Sequence, residues 1–262
     1  MNFEGLQVGI LLPAFVAGLL VLATHVPLGV EVLKRGIIFL DLAIAQIAGL
    51  GVILAHTAGV ESALGVQAAA VGAALLGAAF LRWREARDPA QLEAVIGVVF
   101  VATASAAVVL LAKDTQGGEH LKELLVGQIL WTTWTSLLPL ALITAAVLAA
   151  WWGLRRRSDS LGFYLLFAVS VTAAVQVVGV YLVFASLIVP ALARVGRRER
   201  EPDAEAGEAQ GGLSVAYGIG ASGYALGLAA SAFFDVPAGA AIVLALCACS
   251  LAWNAMPRRS AV

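Results

Sequence analysis

The sequence predicts an all-α, polytopic membrane protein: a helical bundle with about eight or nine transmembrane helices. Of its 262 residues, 61% are hydrophobic and only 13% are charged, whereas soluble domains have roughly 45–50% apolar and about 25% charged residues. So few charges could not cover a water-facing surface, which excludes a soluble enzyme, a nucleic-acid binder and a disordered protein. At about 20 residues per span, no length remains for a large extramembrane domain. We therefore expect residues 1–262 to form a single transmembrane domain.

Eight apolar runs mark the candidate helices. They cover residues 8–30, 37–57, 63–81, 93–112, 134–153, 161–194, 213–232 and 237–256. No basic residue precedes the first run, so we interpret it as a retained span and not as a cleaved signal peptide. The sixth run is too long for one untilted span, with Gly179 near its middle and Pro190 near its end. It is either one kinked helix or a full crossing followed by a shorter return, which would make nine crossings.

The placement of basic residues favours nine crossings, with the N-terminus outside and the C-terminus in the cytoplasm. In that arrangement fourteen of the sixteen basic residues lie inside, as the positive-inside rule requires, and only Lys113 and Lys122 lie outside. The inside residues are Lys34, Arg35, Arg82, Arg84, Arg87, Arg155, Arg156, Arg157, Arg194, Arg197, Arg198, Arg200, Arg258 and Arg259. The polar segment at about 195–212 is then predicted to be a cytoplasmic loop.

Two polar residues inside the second run are candidates for a transport path. Asp41 is the acidic residue that lies clearly within a predicted helix, and Gln46 follows it. Ionisable groups inside spans are functional candidates, because burying them in lipid is unfavourable. Five residues of separation put the two side chains about 140° apart, so they do not share one face. The alternative is that Asp41 lies at the cytoplasmic helix end, near Lys34 and Arg35, and that Gln46 makes a helix–helix hydrogen bond.

The three histidines are scattered along the chain. His25 and His56 sit near predicted span ends, where a polar tip at the membrane interface is ordinary. His120 lies in a predicted outside loop beside Glu119 and Glu123. Such a cluster could attract a divalent cation, although a solvated loop is the simpler explanation.

Glycines and prolines indicate a tightly packed bundle with interrupted helices. Gly220, Gly223 and Gly227 repeat at three and four residues, which favours close helix packing within the bundle or at a dimer interface. Pro139 and Pro190 interrupt apolar runs, and broken helices at membrane depth are typical of transport proteins.

Nucleotide chemistry is not expected in this chain. None of its three lysines follows a glycine, so it has no phosphate-binding loop of the GxxxxGK[ST] type. It also lacks a plausible nucleophile–base arrangement, so we expect no enzymatic activity. If ATP drives this protein, the ATPase is another chain.

Three segments, in this order, resemble the membrane subunit of metal-ion ABC importers, the zinc and manganese permease family. They are VPLGVEVLKRGIIFLDLAIAQIAGLGV at 26–52, VVGVYLVFASLIVPALAR at 177–194 and FFDVPAGAAIVLALCA at 233–248. The first is similar to the family's opening signature, a P-L-G, a basic turn and an acidic helix leading into a Gly. The third resembles the D-x-P-x-G opening of the last helix. LLVGQILWTTW at 124–134 is a weaker fourth match.

The resemblance implies a permease subunit that imports a divalent metal cation of the zinc or manganese class across the bacterial plasma (inner) membrane. It implies a homodimer with the path at its centre, two cytoplasmic ATPase subunits that bind ATP, and an extracytoplasmic metal-binding protein. This chain itself would hold no cofactor, and Asp41 and Gln46 would be pathway residues. The element that couples to the ATPase would begin with Pro190, Ala191, Leu192, Ala193 and Arg194.

The sequence departs from the family pattern at two places. The family carries an Asp and a His four residues apart in the second helix. With Gly51 as anchor, the His position is Gln46 here, and the Asp position is Leu42, one residue after Asp41. Because Gln is a weak zinc ligand, a permease for a metal chelate or other small solute is a second hypothesis, and a secondary carrier without ATPase is a third. The cytoplasmic turn at 155–162 is also shorter than the family's.

Overall fold

A computed structural model describes residues 8–112, 125–154, 160–198 and 208–255. Within these ranges all regular structure is helical, so the predicted all-α class is confirmed. The α-helices of these ranges are α1 (Val8–Arg35), α2 (Leu40–Thr57), α3 (Ala63–Arg87), α4 (Leu92–Leu111), α5 (Trp134–Leu154), α6 (Ser160–Val178), α7 (Val180–Arg198), α8 (Glu208–Phe234) and α9 (Ala238–Ala255). Short 3₁₀ turns at Pro89–Gln91 and Ile129–Trp131 precede α4 and α5.

Eight of the described helices are long and apolar enough to cross a membrane. The exception is α7, whose apolar part is confined to Val180–Ala193. The structure thus agrees with about eight or nine helices. The side on which each terminus lies remains a prediction from the arginine placement.

The long apolar run at 161–194 forms two helices, α6 and α7, that meet at Gly179. Gly179 has φ of +79°, a left-handed conformation that glycine adopts readily and other residues avoid. Its N–H donates to the Val175 carbonyl at 2.9 Å, and its carbonyl accepts from the Val183 N–H at 3.0 Å. The chain therefore changes direction while both backbone groups of Gly179 stay hydrogen bonded. Pro190, in contrast, lies inside α7 and does not end it.

A second glycine packs directly on this break. Gly127 has φ of +73°, and a Cβ at Gly127 would overlap the backbone of Val178 and Gly179. A Cβ at Gly239, in the first turn of α9, would overlap the Val126 carbonyl. Three of the segments singled out in the sequence, around 124–134, 177–194 and 233–248, therefore meet through backbone contacts that only glycine permits.

The core is built around α1, α2 and α6. Helix α1 packs against α5, α6, α7 and α8, whereas α2 packs mainly against α3 and α4. The outer faces of α3, α4 and α5 expose large apolar side chains such as Leu76, Val109 and Trp152. A bundle that is apolar on its outside as well as its inside is expected for lipid contact.

Two boundaries differ from the sequence prediction. The loop predicted at about 195–212 is shorter, because α7 continues to Arg198 and α8 begins at Glu208; residues 199–207 lie outside the described ranges. Polar residues at the end of α7 and the start of α8 extend these two helices beyond their apolar parts. A boundary drawn from hydropathy alone leaves such residues out. The first predicted span, 8–30, likewise extends to Arg35.

Helix α1 continues through Pro27 because the freed carbonyl finds another donor. A proline at this position removes the hydrogen bond to the carbonyl of Ala23, four residues earlier. The Tyr217 hydroxyl of α8 donates to that carbonyl at 3.1 Å. Substitution of the missing bond by a neighbouring side chain is how membrane helices tolerate proline. Helix α1 extends beyond His25 to Arg35, and the place of His25 near the end of the apolar span stays a prediction.

The Gly127–Gly179 contact can be tested by a single added methyl group. Gly179→Ala is expected to lower the free energy of unfolding by at least about 1–2 kcal/mol, because alanine resists the left-handed conformation and its Cβ would overlap Gly127. Gly97→Ala is the control, since its Cβ would have nothing within 4 Å. Thermal unfolding of the detergent-solubilised chain measures both. Equal melting temperatures for the two variants would contradict the predicted contact.

Candidate functional site

A narrow cleft beside α2 is the candidate solute path. It is lined by Ala45, Gln46, Gly49, Leu50 and Ile53 of α2, with Ala107 of α4, Leu125 and Val180. Gln46 supplies the polar side chain in a lining that is otherwise apolar, and it is 9% exposed. The cleft lies near the Gly127–Gly179 contact, because two of its lining residues, Leu125 and Val180, are close to those glycines in the sequence.

Small residues of α2 set its position. A Cβ at Gly51 would lie 2.7 Å from the Ala69 carbonyl oxygen and 2.8 Å from the Ala73 methyl carbon, both of α3. This close packing fixes one face of α2 against α3 and turns Gln46 and Gly49 towards the cleft. The small residue at position 51 therefore lets α2 pack closely on α3, while Ala45 and Gly49 leave space along the cleft.

Asp41 lies in the first turn of α2, outside the cleft lining. It is fully buried, and neither carboxylate oxygen has a hydrogen-bond partner among the described residues. It is one helical turn from Ala45 and so lies on the same row of α2 as one edge of the cleft. The structure therefore does not bring Asp41 and Gln46 together within one chain.

The basic end of α1 pairs with glutamates and not with Asp41. Arg35 lies 3.0 Å from Glu31 and 3.8 Å from Glu85, and the Ser160 hydroxyl donates to Glu85 at 2.7 Å. This cluster joins the ends of α1, α3 and α6, which the sequence did not predict. A buried carboxylate without such partners is unfavourable unless a proton or a cation neutralises it. Asp41 is thus the buried group on α2 that a cation could satisfy.

Glu93 is a second site feature that the sequence reasoning missed. Its carboxylate accepts a hydrogen bond from the Phe39 N–H at 3.2 Å, and so α4 caps the start of α2. In the sequence Glu93 is only an acidic residue in the first turn of α4. Nothing there shows that its carboxylate caps α2 and not its own helix. Glu93 fixes the turn of α2 in which Asp41 lies.

A complete metal cage is not present in the described part of one chain. There, no group of three or more His, Cys, Asp or Glu side chains is placed to hold a metal ion. The predicted cluster of His120, Glu119 and Glu123 lies outside the described residues. The cleft therefore offers the amide oxygen of Gln46, and the Asp41 carboxylate lies one helical turn from its edge. Such oxygen donors suit a weakly held, hydrated cation better than a tightly bound one.

The predicted coupling residues lie on α7. Pro190, Ala191 and Ala193 are buried, whereas Leu192 is 52% exposed. The backbone of Arg194 belongs to α7, and its side chain lies outside the description. Leu192 is therefore an exposed apolar side chain between two buried alanines, in the C-terminal half of α7.

The three predicted packing glycines contact other helices of the same chain. Gly220 packs against Leu22 of α1, whereas Gly223 and Gly227 pack against Leu246 and Ile242 of α9. In each case an added Cβ would overlap the neighbour. These faces of α8 are therefore occupied within the chain.

Comparison with known proteins adds a family and a fold. The chain matches the model of the ABC 3 transport family over residues 7–158 and 148–256. It is similar to the structure of PsaBC from Streptococcus pneumoniae in complex with Fab, with a TM-score of 0.70 and 24% identity, over 96% of this chain and 91% of that chain. It is also similar to an inward-facing structure described as a metal-chelate type ABC transporter, with a TM-score of 0.64 and 18% identity, over 89% and 82% of the two chains.

Because Asp41 has no hydrogen-bond partner among the described residues, we can predict how its substitution changes the stability of the chain. Asp41→Asn is expected to leave the melting temperature of the solubilised chain unchanged or to raise it, because no described partner is lost and a buried charge is removed. Glu85→Gln is the matched control and should lower the melting temperature, since Glu85 has Arg35 and Ser160 as partners. If Asp41→Asn lowered the free energy of unfolding by about 3–5 kcal/mol, the loss typical of a broken buried ion pair, Asp41 would have a partner after all.

Proposed function

The chain belongs to the ABC 3 transport family, and we propose that it is the permease subunit of an ATP-binding-cassette importer for a divalent metal cation of the zinc or manganese class. It is a multi-pass protein of the bacterial plasma membrane and a transport subunit. The observation that carries the proposal is the family match, because it covers both the cleft beside α2 and the coupling region of α7. It also confirms the resemblance found in the sequence segments.

In the proposed mechanism the cation passes the amide of Gln46 and the carboxylate of Asp41. The amide oxygen replaces part of the hydration shell, and the carboxylate provides the charge that makes entry into the apolar cleft favourable. Two copies in a homodimer would supply two of each group around one path. Weak oxygen ligands suit such a path, because transport requires that the ion can leave again.

Energy would come from two separate ATPase subunits that bind ATP, and the solute from an extracytoplasmic metal-binding protein. The absence of a phosphate-binding loop in this sequence supports a separate ATPase. Coupling is proposed to begin at Pro190, Ala191, Leu192, Ala193 and Arg194. Among the side chains of this segment that the structure describes, the half-exposed Leu192 is the one that a partner could contact.

A metal chelate or another small solute is the second candidate substrate. The observation that favours it is Gln46, which occupies the place of the family's histidine and leaves the cleft without an imidazole. The similar structure described as a metal-chelate type ABC transporter supports the same alternative. Family membership favours both candidates over a secondary carrier without ATPase.

Loss of the Asp41 carboxylate is expected to abolish uptake. Cells that produce the Asp41→Ala variant in place of this protein should accumulate no more radioactive zinc or manganese than cells without the protein. The variant itself should reach the membrane in normal amounts. Glu61→Ala, which removes an exposed carboxylate between α2 and α3, should transport normally. Normal uptake by the Asp41 variant would refute its role. Competition by a panel of free metals and chelates separates the two candidate substrates.

Leu192 provides the test of coupling. Leu192→Ala is expected to lower recovery of the ATPase with the purified permease roughly tenfold, the effect of losing about 1.4 kcal/mol at an interface. Leu64→Ala, at an 85% exposed leucine at the start of α3, should leave recovery unchanged because it is predicted to lie on the opposite side of the membrane. Unchanged recovery with Leu192→Ala would exclude this residue from the interface.

A further inference from the structure

The outer face of α3 carries a row of side chains that changes from apolar to aromatic to basic. Leu76, Phe80, Trp83 and Arg87 follow one another at spacings of four, three and four residues, so they lie on one face of the helix. All four side chains are exposed, and the exposed fractions of Leu76, Phe80 and Trp83 are 75%, 43% and 45%. The row therefore lies on the outside of the bundle.

The aromatic and basic members of this row contact each other. The guanidinium group of Arg87 lies over the indole of Trp83, 4.1 Å from the ring centroid, and the ring centroids of Phe80 and Trp83 are 5.9 Å apart. Stacking of this kind uses the face of the guanidinium group, so its N–H donors remain available in the plane of the group. Trp83 therefore orients Arg87 as a donor at the end of the row.

Two guanidinium groups at this end of α3 have no anionic partner among the described residues. Arg84 lies three residues before Arg87, and neither forms an ion pair within 4.0 Å there. The neighbouring carboxylate, Glu85, lies on the side of α3 that faces the ends of α1 and α6, where it pairs with Arg35 and Arg82. The donors of Arg84 and Arg87 are thus left for a group outside the described chain.

The charge at this end of α3 matches that of one phosphodiester. Of the five charged residues in the last two turns and the cap, Arg82 and Glu85 pair with each other at 3.8 Å. Arg84, Arg87 and the capping residue Asp88 remain, and two positive charges with one negative charge leave a net charge of +1. A phosphodiester carries one negative charge, and its oxygens accept the paired N–H groups of arginine.

The length of the row matches the depth of one membrane leaflet. Leu76 and Arg87 are eleven residues apart, about 16 Å along the helix at 1.5 Å per residue, and half of a hydrocarbon core of about 30 Å is about 15 Å. With Arg87 at the headgroups, Trp83 lies at the interface, where tryptophan is enriched, and Leu76 lies near the middle of the bilayer. An acyl chain can therefore follow the apolar part of the row while its headgroup reaches the arginines.

We propose that this row, together with Arg84, is a binding site for one anionic phospholipid. The phosphate accepts hydrogen bonds from Arg84 and Arg87, and the acyl chain lies along Phe80 and Leu76. A zwitterionic lipid would add a positive headgroup charge to a site that is already positive, so it binds less well. A lipid fits better than a protein partner because the row continues to the depth of the hydrocarbon core. The site is separate from the cleft beside α2 and does not depend on the solute that passes there.

The test compares two lipids on the full-length, detergent-solubilised protein. Native mass spectrometry resolves each bound lipid, and titration gives the affinity for the first phosphatidylglycerol and for the first phosphatidylcholine. We expect phosphatidylglycerol to bind about 10–30-fold more tightly, since each of two guanidinium groups contributes about fivefold. Arg87→Gln should lower its affinity about fivefold. Lys34→Gln is the matched control, because it removes an exposed cation at the same end of the bundle, and should change the affinity less than about twofold.

Equal affinities for the two lipids would overturn the proposal, and this comparison needs no substitution. Equal losses with Lys34→Gln and Arg87→Gln would overturn it as well, since any surface charge would then suffice. Arg87→Lys keeps the charge but not the planar, stacked group, so undiminished phosphatidylglycerol binding by this variant would refute the site. Displacement of the lipid by inorganic phosphate would assign the arginines to a free anion. Lost recovery of the ATPase with unchanged lipid binding in Arg87→Gln would assign them to a protein partner, and either result refutes a lipid site.

Discussion

Every backbone polar group inside a bilayer must find its partner within the protein, and this constraint determines where the chain can turn. A break at membrane depth is tolerated only where other parts of the protein cover it. Gly179 meets the constraint by keeping both its backbone hydrogen bonds in a left-handed conformation. Gly127 covers the break from the other side. The contact between these two glycines lies at the break between α6 and α7, near the cleft beside α2.

The same constraint applies to polar side chains inside the bundle, which also need partners within the protein. Several polar side chains satisfy the backbone of another helix: the Tyr217 hydroxyl donates to the carbonyl that Pro27 leaves free, and the Glu93 carboxylate accepts from the Phe39 N–H at the start of α2. The carboxylate of Asp41 differs, because it is buried and neither of its oxygens has a hydrogen-bond partner among the described residues. In a permease a cation can supply the missing interaction at such a position. Asp41 lies one helical turn from the edge of the cleft beside α2.

Much of the fold was predictable because apolar length and basic flanks are strong signals in membrane sequences. The break at Gly179 could be suspected from the length of the run, and Asp41 and Gln46 stand out as polar residues in an apolar helix. The contacts that position them could not be predicted, since Glu93 and Phe39 are 54 residues apart. The support of Pro27 is equally hidden, since the carbonyl of Ala23 accepts from the Tyr217 hydroxyl of α8, 194 residues further along the chain.

The central claim, that this chain is the path of an ATP-driven metal importer, is tested most directly by cation accumulation in cells with and without it. Radioactive zinc and manganese are supplied at low external concentration, and accumulation is followed over time with the cells otherwise identical. Deletion is expected to remove saturable uptake of at least one of the two cations, and restoring the gene is expected to recover it. Equal accumulation of both cations with and without the chain would show that this chain is not their path.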